Sequence, residues 1–89
     1  MEKDIRTAAE KLTDNDYDNV VIFQSPDYGP ALIGVSIDNR AVYDYTKMLD
    51  VLRANGMTDE QAVEYLEFKT IHTLAYAGPA GPIILHPLE

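Results

Sequence analysis

The chain has 89 residues, a formal net charge of −8 and no cysteine. No disulfide can staple it, no thiolate can hold a metal, and its charge repels phosphate backbones and anionic membranes. A hydrophobic content of 46% is too high for a disordered chain. The length suits one domain over residues 1–87, and the terminal Leu88-Glu89 reads as a cloning remnant. Lack of cysteine fits a reducing cytoplasm. Met1-Glu2-Lys3-Asp4 is not the basic start of a signal peptide, and no run is apolar enough to span a bilayer.

In chain order, Ile5, Ala8, Ala9 and Leu12 stand at helical spacing, which predicts a first helix from Asp4 to Thr13. Turn formers from Asp14 to Asn19 break it. Val20-Val21-Ile22-Phe23 reads as a strand, and Ser25 to Pro30 as a loop with two prolines. Ala31 to Ile37 alternates, with Ala31, Ile33, Val35 and Ile37 on one side and Leu32, Gly34 and Ser36 on the other. Asp38-Asn39 suits a two-residue hairpin turn, returning as a third strand over Arg40 to Tyr43.

The period then changes. Tyr45, Met48, Leu49 and Leu52 mark a helix from Asp44, its N-cap, to Asn55, with Gly56 as the stop. Thr58-Asp59-Glu60-Gln61 opens another helix with a capping box, predicted to run to Ala77. Gly78 to Pro82 is a stiff loop, and Ile83 to His86 a last strand. The order α-β-β-β-α-α-β predicts an α+β fold. It has a small, mainly antiparallel sheet, a three-stranded meander plus a C-terminal strand, with helices packed on one face. The last strand follows two helices, so a place beside the first strand is open to it.

From Thr70 to Pro87 there is no Asp, Glu, Lys or Arg, against 25% charged residues overall. Such a gap has a chance on the order of one percent at average composition. It predicts that this segment is hidden from water. In the helix before it, Val63, Leu66, Thr70, Leu74 and Ala77 share one face, expected to lie on the sheet. Tyr65, Phe68, Lys69, His72 and Tyr76 fall roughly opposite, as an aromatic stripe. Two readings stand: the preceding helix covers the stripe, or a protein partner does, most simply a second copy of the chain. Glu60, Glu64 and Glu67 form a third, acidic flank without a histidine at one-turn spacing, which reads as solvated rather than metal-binding.

No motif assigns chemistry. Asp14, Asp16 and Asp18 match a calcium loop at its start, but Asn19 stands for the required glycine and Ser25 for the bidentate glutamate. Gly34-Val35-Ser36-Ile37-Asp38 lacks the last glycine of a nucleophile elbow and precedes a hairpin. The helix pair around Gly56 would point Asp59, Glu60 and Glu64 at phosphates, which argues against direct DNA reading. No catalytic, cofactor or metal residue is therefore assigned. Three functions stay open. The first is a non-enzymatic interaction or regulatory module. The second is an acidic inhibitor that imitates phosphate in another protein's nucleic-acid groove. The third is an enzyme using His72 or His86 with a carboxylate or Tyr28.

Arg40-Ala41-Val42-Tyr43-Asp44-Tyr45, Lys47-Met48, Gly56-Met57-Thr58, Glu60-Gln61-Ala62, Glu64 and Pro82-Ile83-Ile84 carry a resemblance. Over Gly34 to Thr70 the chain resembles a family of short reading frames of bacteria and their prophages with no assigned activity. The resemblance implies a stand-alone bacterial domain and transfers no functional residue.

Overall fold

A computed structural model describes residues 7–17, 19–23, 27–74 and 78–88. Its α+β fold has three helices and a three-stranded mixed sheet. Helix α1 spans Ala8–Asp14. Strands β1 (Leu32–Val35) and β2 (Ala41–Asp44) form a hairpin. Helices α2 (Tyr45–Ala54) and α3 (Asp59–Tyr65) follow, and β3 is Ile83–Leu85.

The first helix begins later than its apolar spacing predicts. Thr7 caps it, accepting from the Glu10 N–H at 3.1 Å, while the Glu10 carboxylate accepts from the Thr7 N–H at 2.9 Å. This capping box sets the start at Ala8. Asp16, with φ 64°, ends the helix. Its N–H reaches the Thr13 carbonyl and the Tyr17 N–H the Leu12 carbonyl, closing a Schellman motif. One oxygen of Asp27 accepts from the Ala8 and Gly29 N–H groups, at 3.1 and 2.7 Å, tying α1 to the turn before β1.

The sheet order is β1-β2-β3, with β1 antiparallel and β3 parallel to β2. The sheet is thus mixed rather than mainly antiparallel, and the last strand lies beside β2. A parallel neighbour requires a long crossover, which α2 and α3 supply. The expected strand over Val20 to Phe23 does not form. Those residues belong to no strand, yet Val20, Ile22 and Phe23 pack against the core. The Phe23 N–H donates to the Tyr43 hydroxyl at 3.3 Å, a side-chain substitute for a strand ladder.

The hairpin turn has three residues, not two. Ser36 and Arg40 close it, the Asn39 N–H reaches the Ser36 carbonyl at 2.9 Å, and Asn39 takes φ 65°. A tight turn followed by one left-handed residue matches the right-handed strand twist. Within β1, Leu32 pairs with Tyr43 but Gly34 pairs with Val42, so Ile33 is an extra, bulged residue. The bulge inverts the expected alternation: Leu32 is buried and Ile33 is exposed.

The core is built from Ala8, Leu12, Tyr28, Ala31, Leu32, Ala41, Tyr43, Met48, Leu52, Ala62 and Leu66. Helix α2 lies against the Gly29–Ala31 turn, β2 and α3. Asp44 caps it by accepting from the Lys47 N–H at 3.1 Å. Its end is a second Schellman motif, Met57 N–H to the Leu52 carbonyl and Gly56 N–H to the Arg53 carbonyl, with Gly56 at φ +98°. No atom would obstruct a methyl group there, so Gly56→Ala carries only backbone strain. It is expected to cost about 1–2 kcal/mol in urea unfolding. An unchanged midpoint would mean that the left-handed geometry is not held.

Thr58 and Gln61 make the predicted capping box, both bonds present. The helix after it is not uniform. Past α3 the register widens over Leu66–Thr70, where the Ile71 N–H reaches back five residues to the Leu66 carbonyl, and then tightens over Ile71–Thr73. In an α-helix, residues four apart overshoot a full turn by about 40°. The wider turn removes that overshoot, so Ala62, Leu66 and Thr70 are all buried. Val63, assigned to the core face by regular winding, is 37% exposed. The expected continuation to Ala77 falls on residues outside the described set.

The uncharged segment is only partly hidden. Thr70, Gly81 and Pro82 are buried and Ile83–Leu85 half-buried, but His72, Thr73, Gly78, Pro79, Ala80, His86 and Pro87 are exposed. The Gly81 carbonyl accepts from Arg40 Nε at 2.8 Å, fixing the entry to β3 beside the hairpin.

Candidate functional site

The aromatic stripe divides. Tyr65 is half-buried and leans on the core. Phe68 is 72% exposed. Lys69 and His72 are exposed, and Tyr76 lies outside the described residues. Winding explains the split. Phe68 stands two residues from buried Leu66 and two from buried Thr70, which places it on the far side of the helix.

Phe68 forms a knob between two shallow hollows. One is lined by Asp59, Glu60, Val63, Glu64, Glu67 and Phe68, encloses about 740 Å³ and opens broadly to solvent. The other is lined by Met57, Gln61, Glu64, Tyr65, Phe68 and Lys69. Glu64 and Phe68 border both. Two of these carboxylates are engaged: Asp59 accepts from Arg53 at 3.1 Å, and Glu67 from the Tyr45 hydroxyl at 3.4 Å. The Arg53 guanidinium, also bonded to Asp50, thereby ties the last turn of α2 to the first residue of α3. Burial pushes the Tyr45 hydroxyl pKa up, and the Glu67 charge adds to it. Among the described residues no cation pairs with Glu60 or Glu64. The acidic flank read from the sequence and the exposed ring therefore form one surface.

The proposed histidine chemistry finds no shared cleft. The hollow that contains Tyr28 is lined by Ile22, Phe23, Tyr28, Tyr65, Lys69, Thr70 and Thr73. The Tyr28 and Thr70 hydroxyls bond to each other at 2.7 Å, and Thr73 Oγ1 donates to the Thr70 carbonyl at 2.6 Å. Burial raises the Tyr28 pKa, partly offset by that Thr70 bond. These hydroxyls fasten the widened turn to the core. His86 instead stacks on Tyr45, ring centres 4.4 Å apart, at the end of β3.

Ser36 also has a structural task. Its hydroxyl donates to Asp38 Oδ1 and accepts from the Arg40 N–H at 3.0 Å. That bond holds the Asp38 pKa below its usual value. Asp14 ends α1 and Asp16 takes its left-handed cap; Asp18 is outside the described residues. Among the described residues, no three of His, Cys, Asp or Glu gather as a metal site. None of their helices is long and apolar enough to cross a membrane.

No family model, curated protein or solved structure matches the chain.

Proposed function

We propose that this chain is a non-enzymatic protein-interaction module of bacterial or prophage origin, working in the cytoplasm. Its contact face is centred on Phe68. One observation carries the reading: a phenylalanine 72% exposed on a capped helix, beside half-covered Val63 and Tyr65. A large ring held in water on an ordered scaffold gains most by entering a partner. Aromatic anchors of this kind dominate interface energetics. The resemblance to short bacterial and prophage frames supports the proposed origin.

The test is affinity capture from the native host, with Phe68→Ser as the control bait. An exposed substitution of this type changes stability by no more than about 0.5 kcal/mol, which thermal melting checks. Loss of a central anchor should lower partner retention about tenfold or more. Equal retention by both baits sinks the reading.

A second reading, an acidic inhibitor occupying a basic nucleic-acid groove, draws on the unpaired Glu60 and Glu64. It predicts binding that depends on these carboxylates more than on Phe68, and that nucleic acid competes away. A symmetric homodimer through Phe68 has less support, because both copies would bring Glu64 into the same contact. Sedimentation equilibrium of the wild type and Phe68→Ser separates that case.

A further inference from the structure

We infer that the Phe68 face receives an arginine-bearing segment of a partner protein, a guanidinium stacking on the ring while its N–H groups engage Glu64 and Glu60. The inference rests on the reading that Phe68 is the contact, and it names the chemistry of the occupant.

The surface offers two complementary features at one place. The Phe68 ring is exposed, so its negative π face is open to a cation. Carboxylates border it: Glu64 lines the hollows on both sides, and Glu60 and Glu67 line one. Glu60 and Glu64 have no cation of their own among the described residues. An aliphatic anchor would meet the ring but leave these charges to be desolvated without a partner. An acidic or phosphate-bearing partner would meet repulsion. Lysine would supply charge alone. Arginine satisfies both features, because its planar fork stacks on an aromatic face and pairs with a carboxylate in two parallel bonds. The hollow beside Val63, about 740 Å³, has room for the rest of such a side chain and its neighbours. Lys69 borders the other hollow, which favours approach from the Val63 side.

Three short labelled peptides test this against the intact protein by fluorescence anisotropy: one of arginine and leucine, its lysine twin and its glutamate twin. The arginine peptide should bind several-fold tighter than the lysine peptide, and the glutamate peptide not at all. Binding should weaken steeply with added salt. It should fall about tenfold or more in Phe68→Ser and in the Glu60→Gln, Glu64→Gln double variant. Asp16→Asn, which removes one charge outside this face, should leave it unchanged. Equal binding of the lysine twin, indifference to Phe68, an equal fall in Asp16→Asn, or no binding by any peptide overturns the inference. So does a Phe68-dependent homodimer. Native capture keeps the two levels apart. If Phe68→Ser loses its captured partners while the arginine peptide fails, the interaction module stands and its arginine occupant falls.

Discussion

Tyr43→Ala should cost about 3–5 kcal/mol, the range for removing a large buried aromatic side chain. Tyr43 is fully buried on β2. Its ring centre lies 5.0 Å from that of Phe23 and 6.4 Å from that of Tyr28. Phe23 and Tyr28 also meet edge to face at 5.7 Å. The three rings join the irregular Val20–Phe23 run, the turn before β1 and the central strand, pieces that share no ladder. A domain of this length has a total stability of roughly 4–13 kcal/mol. The loss would therefore consume a large share of it, and urea unfolding should show a population of unfolded chains near neutral pH. Tyr43→Phe is the control. It keeps the packing and removes only the acceptor for the Phe23 N–H, at an expected cost of about 1–3 kcal/mol. If Tyr43→Ala costs less than the control, the three rings do not hold these segments together.

Alkaline pH should weaken the fold through the same residue. Burial pushes the Tyr43 hydroxyl up to about 12, against 10.0 in an exposed tyrosine. The native state thus keeps a proton that the unfolded chain releases. Stability from the neutral hydroxyl is complete below pH 10 and is lost as pH rises toward about 12. The full loss amounts to roughly 2–3 kcal/mol. Tyr28, also raised by burial, adds in the same direction. Unfolding midpoints compared at about pH 8 and about pH 11 should fall with pH. Tyr43→Phe should flatten that fall, and an equally steep fall in the variant would refute Tyr43 as its source.

Short-range features were legible in the sequence. The Asp44 cap, the Thr58–Gln61 box and the Gly56 stop each depend on residues a few positions apart, and each formed as read. The Thr7–Glu10 box carries the same signature, and it would have placed the start of α1 correctly. What failed depends on distant partners. Val20 to Phe23 has strand-like residues, but its backbone donor at Phe23 is answered by a side chain. The parallel docking of β3 on β2 is decided by how two helices fold back, which no local pattern records. The Ile33 bulge needs knowledge of the β2 register. For the candidate site, spacing alone put Phe68 opposite the core. It could not separate Phe68 from Tyr65, because Tyr65 is drawn inward by neighbours remote in sequence, among them Phe23, Tyr28 and Thr70.

The five-residue reach at Ile71 means that the chain carries one amino acid more there than regular coiling would use. Excising Lys69 would restore an ordinary ladder, yet it would rotate all that follows by about 100°. Thr70 would leave Tyr28, and the path to β3 would start from the wrong bearing. Length at this point is as much a specification as composition: the surplus lets one short rod grip the interior at two levels and still turn a phenyl group outward.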